Sequence, residues 1–205
     1  MADKRKGRTY ETELPAGYEE TMRVDVKDKR LMLFLNLIAI IVTAIGIAAA
    51  AMIIFKEGFV LKLDLITPIV FSASIIAYVV LHELVHGLAS KLMTGQRLKF
   101  GFTGGAAYCS IPGVYLYRRT NTVSLLAPLV VFGALFLALA LFLTAQWHRF
   151  LAAAMLSFHI GSCVGDLYML YLFFTRFKDD RTLTLDTIEG GSVSAVYYLP
   201  KSHGE

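Results

Sequence analysis

Four long apolar runs, each bounded by charged or turn-forming residues, set the rhythm of this chain. The first covers Leu31 to Phe55 and is broken only mildly, at Asn36 and Thr43; the second runs from Leu65 to about Met93. The third spans Thr122 to Ala145, with Pro128 in its early part, and the fourth spans Trp147 to about Phe174. At the helical rise each run is long enough to cross a hydrocarbon core of about 30 Å, so the pattern predicts about four transmembrane helices. Pro68 falls in the first turn of the second run, where a missing N–H is tolerated. Between the second and third runs, Leu98–Phe102 and Val114–Tyr117 are aromatic-rich and separated by Gly104-Gly105 and Pro112-Gly113. That punctuation predicts a short β-hairpin or re-entrant loop.

The expected fold is therefore an all-α integral membrane protein with that one hairpin or re-entrant loop. Its parts are a basic segment 1–30, a four-helix domain 31–174 and a polar tail 175–205. Weak strand signals occur at Met22–Lys27, Thr182–Leu185 and Ser194–Tyr198, the last two around Gly190-Gly191. Composition agrees with the membrane reading: 56% of the 205 residues are hydrophobic and the mean hydropathy is +0.59, far from globular averages. The region before Leu31 is too long and polar, and the apolar run after it too long, for a cleaved signal peptide, so the first helix is expected to be retained.

Charge sets the orientation. Residues 1–30 hold eight of the twenty Lys and Arg, including Lys4, Arg5, Lys6 and Arg8, a density that also suits nucleic-acid binding. The charge continues through Arg23, Lys27, Lys29 and Arg30 right up to an apolar run, as a cytoplasmic flank does, so no nucleic-acid partner is expected. With four spans, seventeen Lys and Arg fall on the side of the termini and three, Lys56, Lys62 and Arg149, on the other. This predicts a multi-pass protein of the cell membrane with both termini cytoplasmic. Cys109 and Cys163 form no paired framework and read as small apolar residues, while His148 and His203 read as solvated.

The candidate chemistry sits in the second run, where Leu81-His82-Glu83-Leu84-Val85-His86 reads H-E-x-x-H. This composition yields about 0.005 such matches by chance, so accident is a poor account of it. On a helix, His82 and His86 share one face a turn apart and can bind one metal ion, while Glu83 stands beside them as a general base. Ionisable groups inside a bilayer segment each cost about 2.5 to 3.5 kcal/mol unless something compensates them. A catalytic zinc has three protein ligands and an open position. The fourth run carries a second polar stripe, His159, Ser162, Cys163 and Asp166, from which the third ligand can come.

An H-E-x-x-H in an apolar helix, a Gly-rich loop after it, a helix opening Ser124-Leu125-Leu126-Ala127-Pro128 and a later helix bearing Asp166 together resemble the site-2-protease-type intramembrane zinc metalloproteases. The resemblance is closer to a compact bacterial group of membrane zincin peptidases, and it covers about residues 65–175. It implies hydrolysis of peptide bonds in or next to the membrane, with one zinc ion as cofactor, the lipid bilayer as surroundings and a membrane protein or peptide as substrate. Neither the Asn-Pro-Asp-Gly nor the Leu-Asp-Gly third-ligand signature of the better-known family is present. Asp166 and His159 lie roughly 10 Å apart along a regular helix, so one ion does not take both. Asp166 is the expected ligand, since its charge offsets that of zinc, Gly165 beside it allows close helix approach, and the resemblance points to an aspartate. His159 is then a supporting donor or a group polarising the substrate carbonyl. The loop 98–117 is expected to pair with an unwound substrate strand. The rival expectation is a non-catalytic zincin-like protein that binds clients or handles metal.

Overall fold

Helix formation begins where the alternating pattern stops. In the computed structural model, which describes residues 8–56, 58, 66–103, 106–189 and 192–201, the Asp28 carboxylate accepts from the backbone N–H groups of Arg30 and Leu31 at 3.0 and 3.1 Å. That cap satisfies two orphan donors and starts α1, Lys29–Ile54. Helix α2 is Ile66–Thr94, α3 is Arg118–Phe142, α4 is Gln146–Ser162 and α5 is Val164–Thr175. Lys4, Arg5, Lys6, Lys62, Asp64, Gly104, Gly105, Gly190, Gly191 and His203 lie outside the described residues.

Helices α1, α2 and α3 are long and apolar enough to cross a membrane, and the bent pair α4 and α5 makes a fourth candidate if it counts as one span. Their outer faces have no protein cover. Leu33 and Met52 on α1 are each 71% exposed. The fourth apolar run is not one helix: it breaks at Cys163 and bends by 43° between α4 and α5. Helices α1 and α4 meet closely because both supply small residues, with Gly161 facing Thr43 and the Ala39 carbonyl, and Gly46 facing Ser157. Gly165, expected to allow a close approach, has open space where a Cβ would stand.

The all-α expectation is overturned. Strands β1 (Tyr10–Glu11), β2 (Tyr18–Asp25), β5 (Tyr115–Tyr117), β6 (Leu183–Glu189) and β7 (Ser192–Pro200) form a five-stranded antiparallel sheet in the order β1-β5-β6-β7-β2. The basic N-terminal segment and the polar tail are thus joined, Val24 opposite Ala195 and Asp186 opposite Ala195 on the other side. Each strand alone is short and half polar, so its signal is weak; its stability comes from partners distant in sequence. The sheet packs on α5 through Tyr197, Phe173 and Phe177, all 1% exposed or less, with the Phe177 and Tyr197 rings stacked at 4.4 Å. Of the two runs expected to form a hairpin between the second and third apolar runs, Leu98–Phe102 overlaps β3 (Lys99–Thr103), which pairs instead with β4 (Ala106–Ser110), while Val114–Tyr117 overlaps β5 of the larger sheet.

Candidate metal centre

Helical spacing and the bend at Cys163 bring three donors to one point. His82 and His86, one turn apart on α2, turn their Nε2 atoms to within 3.2 Å of each other. Asp166, in the first turn of α5, sets Oδ2 3.4 Å from His82 Nε2 and Oδ1 3.3 Å from His86 Nε2. Donors bound tetrahedrally to zinc at about 2.0–2.1 Å stand about 3.3 Å apart, which is the spacing of the two nitrogens and of each nitrogen from its nearer Asp166 oxygen. The proton count agrees. His86 Nδ1 lies 2.8 Å from the Ser124 carbonyl, which only accepts, so Nδ1 carries the hydrogen and Nε2 offers a lone pair when the ring is neutral. Two imidazole lone pairs and a carboxylate converging at this distance call for a cation between them.

Each histidine is aimed by a different device. Pro128 has no N–H, so the Ser124 carbonyl one turn earlier in α3 lacks its helical donor and takes His86 instead. The Ser124 hydroxyl reaches back to the His86 carbonyl at 3.0 Å and takes a hydrogen bond from Ser90 Oγ at 2.9 Å. His82 is held by a side chain: Tyr78 Oη lies 2.9 Å from His82 Nδ1 and 2.7 Å from His159 Nδ1. His159, fully buried, directs Nε2 at the Leu129 carbonyl 3.4 Å away. A consistent proton arrangement has His159 Nε2–H donating to Leu129, Tyr78 O–H to His159 Nδ1, and both His82 Nδ1–H and the Ser162 hydroxyl, 2.6 Å away, to the Tyr78 oxygen.

His82, His159 and Cys163 form a second set of metal-ligating types. The Tyr78 hydroxyl already bonds both histidines there, so the first set is the better centre. His159 accordingly supports the centre from outside the group of His82, His86 and Asp166.

Glu83 stands beside the group without belonging to it. The Cys109 backbone N–H on β4 faces its carboxylate. The hairpin reaches that point because residue 87 is glycine: a Cβ there would collide with Cys109 Sγ. Two cavities open from the centre. One, of about 170 Å³, is walled by Glu83, His86, Ser110, Asn121 and Asp186. The other, of about 640 Å³, runs from Glu83 and Asp166 between α1, at Asn36 and Ala39, and the sheet, at Val193 and Ala195. Asp186 lines both, and burial pushes its carboxyl above the ordinary value.

The structure thus brings His82, His86 and Asp166 together, with Glu83 beside them. Tyr78 was not singled out, and Ser124 and Pro128 entered only through the family likeness with no role at His86, although the spacings are plain: Tyr78 is four residues before His82, and Pro128 four after Ser124. Asp186 carried no such signal.

An H-E-x-x-H helix completed by a carboxylate from a later helix, with the glutamate left outside the donor set, defines a zincin-type centre. Residues 75–180 match the model of a family described as "Putative zincin peptidase". That is just over half of the chain and includes every donor named above; the protein belongs to this family. No curated protein and no solved structure matches the chain.

Proposed function

We propose that the protein is a membrane-embedded zinc metalloprotease that hydrolyses peptide bonds in or next to the bilayer, as site-2-type proteases do. The observation that carries this reading is the convergence of two imidazole nitrogens 3.2 Å apart, each 3.3–3.4 Å from one oxygen of the Asp166 carboxylate, next to a glutamate that faces two cavities. His82, His86 and Asp166 hold one zinc ion. When bound, zinc supplies Lewis acidity toward water and toward a carbonyl oxygen.

The chain's own groups do the rest. Glu83 accepts a proton from the attacking water and hands it to the departing amine nitrogen. Tyr78 and the Ser124 carbonyl hold the two imidazoles in the tautomer that leaves Nε2 free. Strand β4 pairs only with β3 among the described strands, and its Tyr108, Cys109 and Ser110 line the smaller cavity. An extended peptide laid along that edge would be held by backbone hydrogen bonds, its carbonyl turned toward the group of His82, His86 and Asp166. With the charge bias of seventeen to three, the sheet and both termini face the cytoplasm, and water reaches the centre from that side.

The test is Glu83→Gln in detergent-purified protein. Zinc content and folding are expected to stay at wild-type levels, while cleavage of a membrane-derived peptide falls by about 10²–10⁴-fold. Unchanged cleavage would remove Glu83 as the base and the mechanism with it.

A further inference from the structure

We propose that the smaller cavity is a subsite for an alkylammonium group carried by the peptide substrate, with Asp186 as its counter-charge and Ser110 Oγ as an additional acceptor. The inference rests on the peptidase reading and adds a substrate class to it.

Position comes first. The cavity shares Glu83 and His86 with the metal centre, so whatever fills it belongs to a residue at or beside the bond being cut. Its walls are polar in a way the protein does not resolve by itself. Ser110 is only 5% exposed, and its hydroxyl has no hydrogen-bond partner among the described residues. A buried hydroxyl with no partner is uncommon and points to a missing one. On β6, Thr184 and Asp186 lie on the same face of the strand. Thr184 uses its hydroxyl to accept from Asn121 Nδ2 at 2.8 Å, whereas the Asp186 side chain has neither a hydrogen bond nor an ion pair among the described residues.

Charge accounting then separates Asp186 from the other two carboxylates. With neutral histidines, a doubly charged ion together with Asp166 and an ionised Glu83 sums to zero. Asp186 is left over as uncompensated negative charge beside a partly closed space, where the attraction for a cation is strong. Asp186 is in neither set of residues that could share an ion, so a second metal is not the cation it awaits. Lys27 lines the larger groove but not the smaller cavity.

Size narrows the choice. About 170 Å³ is close to the roughly 150 Å³ that accommodates a benzene molecule. The butylammonium of lysine fits that space, whereas arginine is longer and needs its planar fork matched. An aliphatic side chain of equal volume would seal the Ser110 hydroxyl and the Asp186 carboxylate away from water without partners. The ammonium could come from a lysine side chain or from the free N-terminus of a peptide.

The experiment measures binding, so it is independent of turnover. Zinc-loaded Glu83→Gln protein in detergent is titrated with acetylated, amidated pentapeptides carrying lysine, arginine, norleucine or glutamine at each position in turn. A further arm uses the all-neutral peptide with a free N-terminus. At one position lysine is expected to bind at least tenfold tighter than norleucine, or the free N-terminus to do so over the acetylated peptide. Which arm responds identifies the source of the ammonium. Adding Asp186→Asn should abolish the advantage with zinc content unchanged, and Ser110→Ala should reduce it. If norleucine matches lysine at every position and blocking the N-terminus changes nothing, the subsite does not exist; an advantage that survives Asp186→Asn removes Asp186 from it. Failure of the protease reading would appear separately, as wild-type protein that binds these peptides and cleaves none.

Discussion

The floor and the roof of the site are built on opposite principles. The floor is local: His82 and His86 are one helical turn apart, and Asp166 is in the first turn of α5. Its helices turn exposed apolar faces outward. The roof is assembled from distant pieces, with Val24 opposite Ala195, Leu116 opposite Thr184, and the β3–β4 hairpin lying on α2 at Gly87. On the proposed reading, holding a metal would be a property of the helices, whereas admitting and orienting a peptide would depend on strands drawn from the two ends of the chain and its middle. Damage to the floor should remove the metal, and damage to the roof should spare it while altering what the site accepts.

The largest effect is expected from the floor. Asp166→Ala leaves two imidazole donors facing an ion that needs three, and zinc affinity should fall by more than about 100-fold, the upper end of what loss of a supporting group does. His159→Ala should weaken binding far less. Metal analysis after dialysis against a weak chelator checks both; the reverse order would transfer the ligand role to His159.

Next is the contact between floor and roof. Gly87→Ala places a Cβ against Cys109 Sγ, and overpacking of this kind costs about 1–3 kcal/mol. Lifting the hairpin should lower the melting temperature and slow peptide cleavage while zinc content holds. Adding Cys109→Ala removes the colliding sulfur and should restore most of both. A Gly87→Ala protein that loses its zinc would show the two layers to be one unit.

Within the floor, the two histidines offer a finer contrast. Tyr78→Phe deletes the hydroxyl that joins His82 to His159, and a loss of about 10–100-fold in zinc affinity is expected. Pro128→Ala restores an N–H that competes for the Ser124 carbonyl. That oxygen has two lone pairs and can serve both donors, so the loss should be smaller, below about tenfold. Equal losses would mean that the proline matters through helix shape and not through the carbonyl it leaves open.

This same division explains what could be read from the sequence. His82, Glu83 and His86 were legible because four-residue spacing on an apolar helix fixes geometry without knowledge of the rest of the chain. Asp166 was reached by the need for a third ligand and by family likeness, yet the reason assigned to Gly165 does not hold, since it touches nothing; the bend at Cys163 is what delivers the aspartate. The apolar runs were legible as helices for the same local reason, with ends shifted by a few residues and one break unseen. The sheet was not. Residues 183–200 alternate only moderately, and their pairing with residues 18–25 is a tertiary fact that no window of sequence contains. Asp186 was lost with it, because an aspartate in an apparent polar tail becomes a site residue only once β6 is laid against α3.

The smallest expected effect concerns that aspartate and needs no substrate. Burial raises the Asp186 carboxyl above its ordinary value, with His86 opposing the shift. A carboxyl whose folded-state pKa is raised binds its proton more readily in the folded protein than in the unfolded chain. Its contribution to stability is therefore intact below the unfolded value of about 3.9 and is lost as pH rises through the raised folded value. Asparagine has nearly the same shape and never ionises. In metal-free protein, Asp186→Asn should then melt at about the same temperature as wild type at pH 4 and a few degrees higher at pH 8. The gap should open across the interval above the ordinary carboxylate range. A gap that is flat with pH would mean that the carboxylate is already compensated in the folded protein, which would weaken the case for an incoming cation. A gap that opens as described would mark Asp186 as a group held ionised against its own stability, as residues kept for function often are.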